Sequence, residues 1–195
     1  IEISDLRDFT WTSSDSYTPH WIKRSYDLTQ LDTLEVIVEP FGGSKFTAHV
    51  FLRFGFSDGE SLSVSVEARR EAHESYGLLA GATRQFELIY VFATESDIFN
   101  LRTALRDAHI SAYPIRASQE FKKILLLDLC RSANALHTQP QFYATLRHNC
   151  TTTLLRHANH NTDQAIASLY QVLFPAKVGE LIHRIGLMDT HLSYP

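Results

Sequence analysis

The sequence contains little cysteine and no long apolar run. Its two cysteines, Cys130 and Cys150, are too few for a disulfide scaffold, and they are compatible with one bridge or with two free thiols. The longest apolar candidate, Ile124 to Leu129, is interrupted by Asp128 and is much shorter than the roughly 18 apolar residues that a membrane span needs. These absences exclude a disulfide-based small fold and predict a soluble chain.

The sequence also lacks a strong excess of charge. Lys and Arg number 18 against 22 Asp and Glu, which gives a formal net charge of −4 and a pI of about 6.2. A nucleic-acid partner would need a basic stripe with interleaved aromatic residues, and the sequence has none. We therefore expect no nucleic acid among the partners.

No targeting segment is recognisable in residues 1–195. The sequence begins at Ile1 without a basic segment followed by an apolar one, so we expect a processed or trimmed chain. Its length, with 44% hydrophobic and 21% charged residues, predicts a single globular domain over 1–195. Residues 1–30 have no clear apolar period, and we expect them to form an irregular wrapping segment.

Apolar periodicity predicts strands in the first half of the chain and helices in the second. Alternation and β-prone composition predict strands at 34–38, 46–56, 61–67, 86–92 and 109–115. Helical spacing predicts helices at 97–108, from Ser118 to near Pro140, from Asn149 to about 159, at 165–173 and at 178–185. The fold class predicted is α+β, an antiparallel sheet with packed helices.

Cys150 is the first candidate for chemistry. Asn149 is a favoured N-cap residue, so Cys150 is predicted to lie in the first turn of a helix. The unpaired N–H groups and the dipole of that turn stabilise a thiolate, and they can lower the pKa of a cysteine from about 8.5. The same N–H groups can hold an oxyanion. The alternative is a buried, inert cysteine.

His49 is the candidate base. It lies in an apolar strand, and a turn at 57–59 sets a hairpin register in which His49 is opposite Glu67. Opposed side chains have Cβ atoms about 5 Å apart, so the carboxylate can orient the imidazole. A nucleophile needs this arrangement of base and orienting group. The alternative is a structural His–Glu pair within the sheet.

Other polar residues are weaker candidates. Arg69 could bind an anionic group of a substrate, although a solvated charged rim is the alternative that we favour. Asp97 and Arg102 are interpreted as a helix N-terminal charge and a surface ion pair. Cys130 is interpreted as core filler. His148, His157 and His160 form no metal motif, and we expect neither a metal nor another cofactor.

Five segments together resemble the N-terminal extracytoplasmic domain of the bacterial lipoprotein N-acyltransferase family Lnb. The resemblance covers most of residues 26–190. The order of His before an Asn-Cys pair is also similar to permuted papain-like proteins of the NlpC kind and to the lecithin retinol acyltransferase group. The segments are Ala48–Phe56, Ser65–Glu71, Phe86–Val91, Pro140–Tyr143 and Asn149–Thr152.

The resemblance implies a permuted papain-like core, with the nucleophile at a helix N-terminus, in the periplasm or elsewhere in the cell envelope. It implies that Cys150 attacks an acyl ester, that His49 moves the proton and that Glu67 orients His49. Asn149 and Thr151 would support the oxyanion site. The partners implied are a lipid or lipoprotein substrate and, through a longer protein, a membrane surface.

Three functions remain open on the sequence. The first is a thiol acyltransferase or hydrolase that acts on lipid or lipoprotein acyl esters through a thioester. The second is a papain-like amidase or peptidase that acts on cell-wall peptides. The third is a binding domain without catalysis on the same scaffold. An apolar groove beside Cys150 would favour the first, and a polar, peptide-sized cleft would favour the second.

Overall fold

A computed structural model describes residues 1–13, 15–41, 44–69, 86–106, 108–144, 149–162 and 175–189. The described strands are β1 (Glu2–Arg7), β2 (Thr10–Trp11), β3 (Tyr17–Thr18), β4 (Trp21–Ser25), β5 (Leu31–Pro40), β6 (Ala48–Phe56), β7 (Ser61–Arg69), β8 (Glu87–Ala93) and β9 (Ser111–Pro114). The described helices are α1 (Glu95–Asn100), α2 (Gln119–Thr138), α3 (Cys150–His160) and α4 (Val178–Arg184). Leu101–Leu105 continues α1 as a π-helical turn, and Leu28–Gln30 and Pro175–Lys177 are 3₁₀ turns.

Seven strands form one sheet in the order β4-β1-β8-β7-β6-β5-β9, while β2 and β3 form a separate ribbon. The domain is therefore α+β, as the sequence predicts. The expectation of a purely antiparallel sheet is wrong, because β1 pairs in parallel with β8 through Arg7 and Ala93. A parallel pair needs a long connection, and here the connection includes β2 to β7.

The N-terminal segment is part of the sheet, so the expectation that residues 1–30 wrap irregularly is wrong. Strand β1 pairs with β4 from Glu2 with Ser25 to Arg7 with Trp21. The register shifts between Ile3 and Leu6, and β4 is an edge strand with exposed side chains on alternate positions. A bulge and an exposed edge remove the clean apolar alternation that predicts a strand.

The central hairpin has the register that the sequence predicts. The turn brings Gly55 opposite Ser61, and the ladder between β6 and β7 continues to the pair of Phe51 and Ser65. Gly59 occupies the turn with a φ of 90°, a conformation that glycine adopts without strain. His49 and Glu67 lie two residues beyond the last recorded pair, at the same end of the sheet.

Alternation along β6 separates two layers of core. Val50, Leu52 and Phe54 belong to the main core, to which α2 contributes Leu125 and Leu126. Phe51 lies on the opposite face of the sheet, in a smaller core with Ile98 of α1. His49 and Arg53 share the Phe51 face by the same alternation, so α1 and its π-helical turn cover the side of the sheet that carries His49.

Caps fix the ends of the helices. The side chain of Thr94 accepts a hydrogen bond from the Asp97 backbone and begins α1, two residues before the predicted start. The predicted N-cap of α2 is confirmed, because the Ser118 side chain accepts from Phe121. The predicted helix at 165–173 lies outside the described residues. No helix in the described part of the chain is both long and apolar enough to cross a bilayer.

Candidate thiol site

Cys150 is the first residue of α3. The Asn149 side chain accepts a hydrogen bond from the Thr152 backbone at 2.8 Å, and the Asn149 backbone donates to the Thr152 hydroxyl at 2.9 Å. This reciprocal capping box holds the first turn of the helix in place. The N-cap that the sequence predicts at Asn149 is therefore confirmed.

The Cys150 thiol is free and 6% exposed. Its sulfur lies 3.8 Å from the Thr151 hydroxyl and accepts hydrogen bonds from the backbone N–H groups of Val50 and Thr151. Burial raises the pKa of the Cys150 thiol above its ordinary value, and these hydrogen bonds offset the rise only in part. The prediction that the helix N-terminus lowers this pKa is wrong, because the effect of burial is larger.

The structure places His49 beside Glu67 with a third residue between them. His49 Nε2 lies 2.7 Å from the Ser65 hydroxyl, which donates to Glu67 Oε1 at 2.9 Å. The direct distance from His49 Nε2 to Glu67 Oε1 is 3.8 Å. Glu67 is thus near His49, as the hairpin register predicts, but the hydrogen bonds run through Ser65. Sequence reasoning missed Ser65, although it shares the strand face of Glu67.

Burial lowers the pKa of His49 to about 4. The charge of Glu67 raises this pKa, but Arg102 and Arg106 lower it. Burial would raise the pKa of Glu67, whereas His49, Arg102, Arg7 and the hydrogen bond from Ser65 lower it below its ordinary value. At neutral pH the pair is therefore a neutral imidazole beside a carboxylate. The imidazole can accept a proton, but a pKa of about 4 makes it a weak base for a thiol whose own pKa is raised.

A buried ion pair lies under His49. Arg102 is 4% exposed. Its Nε donates a hydrogen bond to Glu39 Oε2 at 2.8 Å, and its guanidinium lies 3.6 Å from Glu67 Oε1. It also lies over the Phe51 ring, 4.9 Å from the centroid. The interpretation of Arg102 as a surface ion pair is wrong, because the π-helical turn directs this side chain to the sheet. Glu39 pairs with His49 across β5 and β6.

The described residues show no hydrogen bond between Cys150 and His49: α3 packs its Leu154 on the Val50 face of β6, whereas the His49 side chain lies on the Phe51 face. Val50, whose backbone bonds to the Cys150 sulfur, is the residue that follows His49. Glu67 is close enough for its charge to raise the pKa of Cys150. Within the described residues, the hydrogen bonds of Cys150 go to Val50 and Thr151, and that of the His49 ring goes to Ser65. Catalytic hydrogen bonds are often long before substrate binds.

An apolar cavity of about 880 Å³ lies between α3 and the sheet, and its lining includes the neighbours of Cys150 but not Cys150 itself. Val50 and Thr151, the two contacts of the sulfur, line one part of it. Leu154 and Ala158 of α3 also line it, together with polar residues such as Arg116 and Asn161. Since α3 rises about 1.5 Å per residue, the lining from Thr151 to Ala158 spans roughly 10 Å.

A second polar cluster, which sequence reasoning missed, fastens α3 to the rest of the domain. His157 Nδ1 lies 2.7 Å from Asp128 Oδ2 of α2, and His157 Nε2 lies 2.7 Å from the Tyr90 hydroxyl of β8. Asn161 donates to the same carboxylate at 3.1 Å. Burial raises the pKa of Tyr90 to about 12. The cluster keeps the helix that carries Cys150 in a fixed position on the sheet.

Arg69 lies at the exposed end of β7. Its side chain is 66% exposed and pairs with Glu87 at 3.3 Å. This contact agrees with the solvated rim that the sequence favours, and a role in substrate binding stays a prediction. Asp97 is fully buried; it accepts from Arg7, from the Phe9 backbone and from Trp11, so it fixes the N-terminal segment. His148 lies outside the described residues.

The part of the chain that the structure describes contains no cluster of three or more His, Cys, Asp or Glu side chains placed to hold a metal ion. Cys130 is half-buried and free, like Cys150. Burial raises the pKa of the Cys130 thiol to about 11, which disfavours a thiolate at this position. Of the two cysteines, Cys150 is the one whose sulfur bonds to the strand that carries His49.

Fold and site together define an α+β domain in which a buried cysteine begins a helix beside a sheet with a His–Ser–Glu hydrogen-bond chain. A sequence-family model described as the Lnb N-terminal periplasmic domain matches residues 17–183 of the chain. The chain belongs to this family, as the resemblance in the sequence indicates, and it is a periplasmic domain. Searches among curated proteins and among solved structures found no match.

Proposed function

We propose that this domain is a thiol-dependent acyltransferase that moves an acyl group from a lipid or lipoprotein ester through a thioester on Cys150. The family supplies the envelope and lipoprotein context. The observation that carries the proposal is the apolar cavity, whose lining includes Val50 and Thr151, the two residues that bond to the Cys150 sulfur. The proposed scaffold is a permuted papain-like core, with His49 on a strand before Cys150 on a helix.

The cavity suits an acyl chain better than a peptide. Its volume of about 880 Å³ lies within the usual range of ligand pockets, about 300–1,000 Å³. The wall near Cys150 is apolar at Val50, Leu52 and Leu154. Each methylene group buried there gains about 0.8 kcal/mol, so an acyl chain gains affinity along its length. A peptide would need more polar partners than the apolar part of this wall offers.

The proposed reaction has two halves. The Cys150 sulfur attacks the ester carbonyl while His49 takes the thiol proton; the C–O bond breaks, and His49 returns the proton to the leaving alkoxide. An amine then attacks the thioester, the C–S bond breaks, and the amine proton passes through His49 to the sulfur. In this reaction the backbone N–H groups of Val50 and Thr151, which bond to the sulfur, would donate to the oxyanion.

The test is the formation of an acyl-enzyme. The protein is incubated with diacylglyceryl thioether peptides and with activated esters of short and long acyl chains, and intact mass and peptide mapping locate the acyl group. The proposal predicts acylation of Cys150 with a preference for long chains, abolished in Cys150→Ala and kept in Cys130→Ala. Cys150-dependent cleavage of cell-wall peptides without ester reaction would instead establish an amidase, and no reaction with either would leave a binding domain.

A cavity variant tests the acyl site separately. Ala158 lines the cavity, so Ala158→Trp fills part of it. We expect long-chain esters to react at least about tenfold more slowly and acetyl esters to react at the normal rate. Arg156→Trp, on the exposed side of the same helix, is the matched control and keeps the chain-length profile. Equal profiles in both variants would show that the acyl chain does not occupy the cavity.

A further inference from the structure

Ser65 occupies the space between the candidate base and its carboxylate. Its hydroxyl lies 2.7 Å from His49 Nε2 and 2.9 Å from Glu67 Oε1, whereas the two outer groups are 3.8 Å apart. Ser65 has no exposed surface, and His49 and Glu67 are 13% and 28% exposed at their side chains. The three groups therefore form one hydrogen-bond chain that is largely shielded from water.

The chemistry of these groups fixes the direction of each hydrogen bond. An ionised carboxylate only accepts, so the Ser65 hydroxyl must donate its single proton to Glu67. The Ser65 oxygen then has only lone pairs to offer, and His49 Nε2 must donate to it. A neutral imidazole carries one N–H proton, so His49 Nδ1 is unprotonated and can accept a proton.

We infer that Ser65 is a positioning residue, which holds His49 in the tautomer with its proton on Nε2 and leaves Nδ1 as the proton acceptor for Cys150. This inference rests on the proposed function for its catalytic meaning. Its structural content, the tautomer and the bridge, stands on the hydrogen bonds alone. Glu67 acts on His49 through Ser65 and is held ionised in turn by the guanidinium of Arg102, 3.6 Å away.

Loss of the Ser65 hydroxyl leaves both neighbours without a bridge. A separation of 3.8 Å is too long for a hydrogen bond between His49 and Glu67, so the Nε2–H group would lack its partner. The two tautomers of His49 then become closer in energy, and a fraction of the molecules carries its proton on Nδ1, where it blocks the base. The expected effect is a lower kcat with little change in KM.

The sequence offers a matched control on the same strand. Ser63 lies two residues before Ser65 on the same face of β7, is also fully buried, and its hydroxyl has no hydrogen-bond partner. Ser63→Ala therefore removes the same atoms from the same strand without breaking a hydrogen bond. A difference between Ser65→Ala and Ser63→Ala measures the bridge and not the loss of a buried hydroxyl group.

The first experiment needs no substrate. Nitrogen NMR of the ¹⁵N-histidine-labelled protein at pH 7 distinguishes a protonated from an unprotonated ring nitrogen, with His49→Gln to assign the signals. We expect Nε2 of His49 to carry the proton. An Nδ1–H tautomer or a doubly protonated ring would overturn the inference, whatever the enzyme does with acyl esters.

The second experiment measures the rate of Cys150 acylation by an activated ester in three proteins. We expect Ser65→Ala to lose about 10- to 100-fold in kcat, a part of the 10²–10⁴-fold that a general base supplies, and to show mixed His49 tautomers. Ser63→Ala should match the unmodified protein. Equal rates in both variants would refute the positioning role of Ser65. A His49 tautomer with its proton on Nε2, without any acylation of Cys150, would refute the proposed function alone.

Discussion

Replacement of His49 by Gln should remove a specific part of the pH dependence of stability. Gln keeps a polar side chain next to Ser65 but does not titrate. His49 has an ordinary pKa of 6.5 and a folded-state pKa of about 4, because it is buried and lies near Arg102 and Arg106. The unfolded chain therefore binds a proton as the pH falls through 6.5, while the folded chain stays unprotonated until about pH 4.

The sign follows from this difference. Since the unfolded state takes up the proton first, the contribution of His49 to stability is complete above pH 6.5 and is lost as the pH falls toward 4. Between pH 7 and pH 5 the two pKa values give a loss of about 2 kcal/mol. For a chain of this size that corresponds to a fall of roughly 4–8 °C in Tm. Glu67, whose pKa lies below 4.5, contributes only at lower pH.

Urea unfolding at pH 7, 6 and 5 measures the effect. The unmodified protein should lose about 2 kcal/mol more than His49→Gln over this range. His109→Gln changes an exposed histidine and should follow the unmodified protein. Parallel curves for the unmodified protein and His49→Gln would mean that His49 is not buried in its neutral form, and the assignment of His49 as a base at neutral pH would fail with it.

Three further substitutions test the interactions that support the site. Arg102→Met leaves the buried Glu39 with only its 4.0 Å contact to Arg106 and should cost about 3 kcal/mol in urea unfolding. Arg102→Met combined with Glu39→Leu should recover a large part, and equal stability of the two variants would contradict a buried pair. Asp97→Ala removes the partner of Trp11 and should cost about 3 kcal/mol and shift the tryptophan emission, whereas an unchanged spectrum would count against this contact. Asn149→Ala should cost about 1 kcal/mol through loss of the cap, and Asn149→Gly only a few tenths, in thermal unfolding.

Local patterns predict much of the sheet and of the helix ends. The turn at Gly59 and the alternation along β7 fix the hairpin register, which is confirmed by the pair of Phe51 and Ser65. Asn149 marks the start of α3 because capping depends on a few neighbouring residues. The placement of Glu67 near His49 follows from the same register, since the side chains of paired strands have fixed neighbours.

Features that depend on distant parts of the chain could not be predicted in this way. The buried place of Arg102 results from packing of a π-helical turn against the sheet, and no spacing in the sequence signals it. The bridge through Ser65 depends on the distance between two side chains, which exceeds a hydrogen bond by less than an ångström. The pKa of Cys150 is raised because tertiary burial exceeds the local effect of the helix end.

The contact between Cys150 and Val50 also determines when during folding the thiol becomes protected from oxidation. The two residues are far apart in the chain, and such non-local contacts form late because loop closure must precede them. Until then both cysteines are accessible in an oxidising compartment, where a bond between Cys130 and Cys150 would keep α3 from its place on the sheet. Docking of α3, through the cluster around His157, therefore protects the thiol against oxidation as well as positioning it.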